Sequence, residues 1–311
     1  MKEEMLYVYT VYQEGSFSKA AKKLFLTQPA LSISIQKIEQ SIGMPLFDRS
    51  RRPLKLTDAG EIYIELIKKT LLLEREQQQK LNDIRNVVTG TIKLGGSHYL
   101  NAYIMPDILA GFVREYPGVK LEIMEASSYD LADMLADYKL DLTFNCNPAL
   151  IKNYNHYKVF EDHILLAVPE EHSINARYAD FALTASEIFE GRHLSADCPM
   201  IELAAFSELE LILLRKGNNL YDRAWAMFHE AGFKPKIKLD LSQLVTAYRL
   251  ARANMAATFV SDRLVRPEDT SLKFYRLDSS HTTRIFYALL PNKEYVPAAV
   301  NRFIQYMQNN L

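Results

Sequence analysis

Residues Thr57 to about Val88 contain no proline, and glycine only at position 60, so one α-helix can run through them without a break. Ile62, Leu66, Leu73, Gln77, Ile84 and Val88 recur there with an eleven-residue period, 62→73→84 and 66→77→88. A repeat of about 3.67 residues per turn describes a nearly straight helix pair rather than a tight left-handed coil. The polar middle, EREQQQK, is unsuited to burial on all sides. That favours a solvated two-helix seam over packing onto the chain's own body. Such a helix divides the chain into a short N-terminal segment and a long C-terminal one. At 311 residues, about two domains are expected, or three if one is small.

Composition narrows the class. The content of 48% apolar and 24% charged residues is that of a globular protein and excludes disordered and fibrous classes. No run approaches the ~18 apolar residues of a membrane span, and MKEEMLYVYT lacks the basic-then-apolar layout of a secretory signal. The two cysteines, Cys146 and Cys198, cannot build a disulfide scaffold, and there is no CxxC. A cytoplasmic setting without membrane contact is expected. Neither GxGxxG nor a P-loop is present, so the usual nucleotide-cradling loops are missing and no cofactor is expected. The net charge of −1 hides an asymmetry: residues 1–60 hold nine Lys or Arg against six Asp or Glu, which leaves −4 for the rest. Arg49, Arg51, Arg52 and Lys55 fall within seven residues. Alone, such a cluster is more often a solvated loop, but a basic segment ahead of an acidic body also suits a polyanion-binding module.

The first sixty residues favour the second reading. Met5, Val8, Tyr9 and Tyr12 are expected to share one helical face, with Gly15 as the stop. Ser16 then caps a short helix in which Ala20, Ala21 and Leu24 point inward, and the small alanines let another helix cross closely. Thr27 is an N-cap with Pro29 in the first turn, and the third helix buries Leu31, Ile35 and Ile38. Its other face carries Gln28, Ser32, Ile33, Gln36 and Lys37. A small, polar helix face of this kind fits the DNA major groove. Leu46 and Phe47 start a strand that returns at Leu54 and Leu56, with the basic residues on the hairpin between them.

GSFSKAAKKL, followed by TQPALSISIQKIEQSIGMPLFDRSRRPLKLTDAGE, closely resembles the DNA-binding domain of LysR-type transcriptional regulators. The match covers about sixty contiguous residues. The resemblance implies a sequence-specific, effector-responsive transcription regulator, not an enzyme. Its partners would be double-stranded operator or promoter DNA, a small-molecule effector, RNA polymerase and further copies of itself, as a homodimer or homotetramer. The expected DNA-binding residues are Gln28, Pro29, Ser32, Ile33, Gln36, Lys37, Arg49, Arg51 and Arg52, with Gln28 and Ser32 on base edges and the three arginines on phosphates. Where many members carry Arg in the recognition helix, this chain has Ile33. That side chain either touches a thymine methyl or packs inward, but it cannot hydrogen-bond guanine. The competing readings are a solute-binding receptor without DNA function and, less favoured, an enzyme.

From Thr91 the rhythm becomes strand–helix alternation, which implies parallel strands with right-handed crossovers. Strands are expected at TIKLGGS, VKLEIMEA, LDLTFN, HILLAVP, LELILLRK, PKIKLDL, AATFVSD, SLKFYRL and RIFYALLP. Helices are expected at 102–116, 129–138, 220–231, 243–253 and 297–308. The fold class is α/β. A winged helix-turn-helix domain (1–58), all-α with a small wing, is joined by a linker and dimerisation helix (59–89) to an effector-binding domain (90–311). The element order makes the last of these a two-subdomain α/β domain, and the resemblance makes it one of periplasmic-binding-protein type. Subdomain one is expected at 90–160 plus 266–311 and subdomain two at 161–265, with the chain crossing near 160 and 265.

In open α/β sheets ligands sit beyond the carboxyl ends of strands, at helix N-termini. That rule selects Ser97, His98, Ser127, Ser128, Asn145, Lys216 and Asn218 as effector-binding residues, although each Ser or Asn could equally be a helix cap. The resemblance adds that Ser97 and Ser127 match effector-loop positions. A small carboxylate is the preferred ligand, with a neutral aromatic as rival because Tyr99, Tyr103 and Tyr129 lie nearby in sequence. Family members often have a Gly-rich turn before AATFV and a Pro after it. Here Ala253, Asn254, Met255 and Ser261 stand there, so no known effector carries over. The seven histidines form no HExxH, so no metal site is read, and no catalytic constellation is evident. Cys146 and Cys198 lack flanking Arg or Lys and are expected to be incidental thiols rather than a redox switch.

Overall fold

The helix caps expected at Ser16 and Thr27 form. Each is extended, and its hydroxyl accepts the N–H three residues on, from Lys19 and Ala30 respectively. The orphan donors of both helix starts are thereby satisfied. In the computed structural model, which describes residues 3–50, 54–84, 88–292 and 295–311, these caps follow α1 (Glu3–Glu14) and open α2 (Phe17–Lys23) and α3 (Gln28–Ile42). Gly15, with φ +57, ends α1. The buried face of α1 is Val8, Thr10 and Val11, and Tyr12 is exposed. Of the expected face, Val8 is buried in a core shared with Ala20 and Ala21, Met5 and Tyr9 pack half-buried against that core, and Tyr12 falls outside it, while Thr10 and Val11 are buried on its flank. Leu31, Ile35 and Ile38 complete this core with Leu46 and Phe47. Strands β1 (Phe47–Asp48) and β2 (Lys55–Leu56) pair antiparallel to make the wing.

Helix α4 (Asp58–Ile84) is 27 residues long, about 40 Å at 1.5 Å per residue. It carries two apolar stripes. Ile64 and Ile67, with Tyr63 and Leu71 beside them, pack into the helix-turn-helix core. Ile62, Leu66, Leu73, Leu81 and Ile84 are exposed. Val88, assigned to the helical repeat by spacing, instead packs against the core of the second unit. The chain divides into units Met1–Val87 and Val88–Leu311.

The second unit opens with β3 (Gly90–Gly96), α5 (Met105–Glu115), β4 (Val119–Glu125), α6 (Ser128–Ala136), β5 (Leu142–Asn145), α7 (Pro148–Ile151) and β6 (Asn155–Pro169). A π-helical turn, Leu100–Ile104, precedes α5. It continues with α8 (Ile174–Arg177), β7 (Ala182–Leu183), α9 (Ala185–Phe189), β8 (Glu210–Leu214), α10 (Asn219–Glu230), β9 (Lys236–Leu241), α11 (Leu244–Arg252) and β10 (Ala257–Ser261). It closes with β11 (Leu272–Arg276), β12 (Thr283–Leu290) and α12 (Ala298–Asn310). The strand order is β4-β3-β5-β12-β6-β10-β8-β9, with β11 paired to β6 and β7. No helix among the described residues is long and apolar enough to cross a membrane.

Strand β6 belongs to both halves. Residues Asn155–His163 pair with β12, and Ile164–Ala167 pair with β10. The expected strand HILLAVP is only its apolar second half; the polar run NHYKVFED hid the first. The second crossing also falls later than expected. Leu272–Arg276 pairs with Leu165–Pro169, so the SLKFYRL strand stays in the second half and the chain returns only between Leu277 and Thr283. Sequence spacing could not show this, because β11 is antiparallel to β6 and needs no crossover helix to mark it.

One buried ion pair stands where the halves meet. Arg284 on β12 forms a bidentate pair with Asp162 on β6. Its Nε lies 2.7 Å from Oδ1, its NH2 bonds Oδ2, and both side chains are buried. Asp162 Oδ2 also accepts Ser261 Oγ at 2.8 Å and Tyr99 OH at 3.3 Å. Burial opposes the Arg284 charge, but the facing carboxylate outweighs it and raises the guanidinium pKa. Arg284→Met leaves Asp162 buried without its counter-charge and is expected to cost ~3–5 kcal/mol, whereas adding Asp162→Leu should recover most of the loss. Urea midpoints for the two variants check this; a single variant as stable as the parent would contradict it.

Candidate nucleic-acid interface and ligand cleft

In the first unit, α3 buries Leu31, Ile35 and Ile38 and leaves Gln28, Pro29, Ile33, Gln36 and Lys37 exposed, with Ser32 half-buried. Ile33 is 54% exposed, so the inward-packing alternative is excluded and its side chain is presented on the outer face. Arg49 is less free than expected. One of its NH2 groups lies 2.9 Å from Glu39 Oε2, the other donates to Ser32 Oγ at 3.3 Å, and the guanidinium sits 4.9 Å from the Phe17 ring centroid. Glu39 Oε1 in turn accepts the backbone N–H groups of Leu46 and Phe47. The Glu39–Arg49 link thus fastens the wing to α3, and part of the Arg49 charge is already neutralised. Arg51 and Arg52 lie outside the described residues.

The second unit holds a cleft of about 490 Å³ lined by four loop sets, each at the carboxyl end of a parallel strand. Ser97 and His98 follow β3; Glu125 ends β4, with Ala126, Ser127 and Ser128 after it; Arg215 to Asn218 follow β8; Ser242 and Gln243 follow β9. Ser127, Asn218 and Gln243 are the N-cap residues of α6, α10 and α11. Three helix N-termini therefore meet at one cavity, with N–H groups and positive dipole ends suited to an anion.

The lining side chains are not equally available. Ser127 Oγ accepts the Asp130 N–H, and Asn218 Oδ1 accepts the Leu220 N–H, so the capping alternative holds for both. His98 Nδ1 lies 3.2 Å from Glu125 Oε1. The Ser97 and Ser128 hydroxyls, the Lys216 ammonium and the Arg215 guanidinium have no side-chain hydrogen-bond or ion-pair partner among the described residues. Asn145 does not line the cleft. It is buried behind Ser128, donating to the Ser128 carbonyl and accepting the Asn147 N–H at 2.8 Å. Strand β5 lies between β3 and β12, and the Asn145 amide is taken up by the start of α6 on one side and its own loop on the other.

Arg215, Ser242 and Gln243 were missed from sequence, although the strand-end rule that selected Lys216 applies to all three. The aromatic set does not assemble. Tyr99 is buried, its hydroxyl bonded to Ser261 at 2.7 Å, Tyr103 lines a different cavity and Tyr129 is absent from the cleft lining. Both cysteines are buried. Burial pushes the Cys146 thiol up to about 11, only partly offset by the Arg284 charge. The thiol donates to Asn219 Oδ1 at 3.0 Å. Such a thiol is a poor nucleophile.

Comparison with known proteins bears on both units. Residues 3–61 match the model for the bacterial regulatory helix-turn-helix protein, lysR family, and residues 85–311 match the LysR substrate binding domain. An uncharacterized HTH-type transcriptional regulator of Bacillus subtilis (strain 168), YybE, is 28% identical over 84% of this chain and 82% of its own. A probable RuBisCO transcriptional regulator of Cyanidioschyzon merolae is 34% identical, but over 51% of this chain and 54% of its own. This chain spans about half the length of that relative. Among solved structures, CbnR complexed with its target DNA aligns with a TM-score of 0.63 at 20% identity, over 99% of both chains. A full-length OxyR variant from Pseudomonas aeruginosa aligns with a TM-score of 0.66 at 19% identity, over 98% of this chain and 96% of its own. At these identities the structures speak for the fold.

Proposed function

The chain belongs to the LysR family of bacterial helix-turn-helix regulators, DNA-binding proteins with an effector-binding domain, and from that premise we propose that it is switched by a small carboxylate bound in the cleft between β3–β4 and β8–β9. The family points away from an enzyme. The observation that carries the effector class is the meeting of three helix N-termini with Arg215, Lys216 and the available Ser97 hydroxyl in a cavity of about 490 Å³. The absence of Tyr99, Tyr103 and Tyr129 from the lining counts against an aromatic ligand. Charged hydrogen bonds contribute ~1.5–3 kcal/mol each. A ligand that takes a protein from 1:99 to 99:1 between two states must discriminate by ~5.5 kcal/mol. About two to four such bonds, made in one state only, reach that figure. Titrating a carboxylate panel against operator affinity should show a responsive ligand, with the Ser97→Ala response shifted to about tenfold higher concentration or more and DNA binding without ligand intact. Identical effector dependence in both proteins would place the ligand elsewhere.

On DNA, Gln28 and Ser32 are proposed to face base edges, with Ile33 on a thymine methyl and Gln36 alongside, while Pro29 sets the helix start. Lys37 and the arginines 49, 51 and 52 are proposed for phosphates. Arg49 is the weakest of these candidates, given its bonds to Glu39 and Ser32. Lys37→Ala should weaken binding to all sequences alike and reduce the log–log salt slope by ~1. Gln28→Ala should instead blunt discrimination between operator and random DNA. Fluorescence anisotropy at several salt concentrations separates the two effects. Undiminished discrimination in Gln28→Ala would refute the role given to α3.

The outer stripe of α4 is proposed to pair with the same stripe of a second copy, giving a dimer and, through the effector domains, a tetramer acting on promoter DNA in the cytoplasm, where it would meet RNA polymerase. Ile62, Leu66, Leu73 and Ile84 are 48–77% exposed in the single chain, a run that a partner helix would cover. Leu73→Glu buries a charge in that seam, which is costly without a counter-charge. Sedimentation should then show a smaller assembly, and an unchanged species at low micromolar concentration would refute the seam.

A further inference from the structure

A second cavity of about 530 Å³ shares no lining residue with the ligand cleft and contains His163, His193 and Asp262. These residues are far apart in sequence, and the strand crossing brings them together. Successive residues of a strand point to opposite faces. Asp162 faces Arg284, so His163 projects from the other face of β6. Asp262 directly follows β10, and His193 comes from the turn Arg192–Leu194 after α9. Asp262 Oδ1 accepts the backbone N–H groups of His163 at 3.0 Å and Arg263 at 2.8 Å. Oδ2 is thereby left facing both rings, 3.3 Å from His163 Nδ1 and 2.9 Å from His193 Nε2. His193 is buried, and its Nδ1 has no hydrogen-bond partner among the described residues.

We propose that His163, His193 and Asp262 form a binding site for a divalent transition-metal ion of the zinc type. Two imidazoles and one carboxylate are the donors such ions prefer, whereas magnesium and calcium seek oxygen alone. The spacing also fits. Tetrahedral bonds of about 2.0–2.1 Å put neighbouring ligand atoms about 3.3 Å apart. The His163–Asp262 separation of 3.3 Å already matches, and the His193–Asp262 separation of 2.9 Å is a few tenths short. The three ligand atoms lie within 4.8 Å of one another. Rotation of the His163 ring, whose side chain is 28% exposed against 4% for His193, brings the two ring nitrogens to the same spacing. The two backbone N–H groups on Asp262 Oδ1 hold the carboxylate in place, as outer-shell donors do in metal sites. The adjoining cavity leaves a fourth position to water or a small ligand. An ion there would fasten the 192–194 turn to β6 and to the end of β10, beside the Asp162–Arg284 pair.

The test uses chelator-treated full-length protein titrated with Co²⁺, read by visible absorption, and with Zn²⁺, read by calorimetry. One equivalent per chain is expected, with the intense visible bands of a four-coordinate Co²⁺ centre. His163→Ala, the least buried ligand, should weaken Zn²⁺ binding about tenfold or more while its circular dichroism matches the parent. His193→Gln should do the same. No stoichiometric binding by the parent protein would overturn the site, leaving only a His–Asp–His hydrogen-bonded cluster. So would His163→Ala binding as the parent does. Loss of binding in His98→Ala, with His163→Ala unaffected, would move the ion to the ligand cleft beside Glu125 and equally overturn it.

Discussion

The Asp162–Arg284 pair sits at the one place where the two halves of the effector-binding unit share a strand. β6 pairs with β12 up to His163 and with β10 from Ile164, so Asp162 is the last acidic group before the change of partner. A carboxylate buried there without a partner would destabilise the junction by several kcal/mol. Arg284 supplies the charge, and Ser261 and Tyr99 take up remaining lone-pair directions. These bonds reach β6, β10, β12 and the segment after β3 at once. The junction therefore has one well-satisfied arrangement, and shifting any of these elements would break a buried bond.

The same junction explains how one strand pair serves two surfaces. Asp162 and Ser261 turn toward Arg284, while the next residues, His163 and Asp262, turn toward the second cavity. On the other side of the parallel strands, the ligand cleft depends on β3, β4, β8 and β9 all ending at one opening. Parallel pairing of β3 with β4 and of β8 with β9 sends the following helices back the same way, which brings the N-termini of α6, α10 and α11 together. The positive groups around the cleft are thus the three helix N-termini, placed by backbone geometry, with Arg215 and Lys216 beside them and Glu125 opposing them.

Helix α4 separates two tasks by angle. Ile64 and Ile67 complete the helix-turn-helix core, and the exposed stripe of Ile62, Leu66, Leu73 and Ile84 stands about a third of a turn away on the helix surface. The wing is tied to α3 through Glu39, which both binds Arg49 and accepts the backbone N–H groups of Leu46 and of Phe47 in β1. A change at Glu39 would therefore disturb the wing as well as the surface charge.

Local chemistry by itself determined the parts whose cause lies within a few residues. The Ser16 and Thr27 caps, the stop at Gly15, the inward positions Leu31, Ile35 and Ile38, and the exposed row from Gln28 to Lys37 all follow from helical spacing and capping. The strand-end rule likewise picked out Ser97, His98, Ser127, Ser128, Lys216 and Asn218, which line the cleft, because a strand followed by a helix start is visible in the residues themselves. Tertiary structure decided the rest. Asn145 obeys the same local rule, yet its amide is used up behind Ser128. Leu272–Arg276 looked like a return to the first half, but its pairing partner lies a hundred residues earlier in β6. Arg49 sits in a basic run, yet the packing of the wing on α3 sets it against Glu39. His163, His193 and Asp262 have no spacing pattern at all. Strand pairing has no preferred sequence separation, so a cluster made by crossing strands leaves no periodic trace in the sequence.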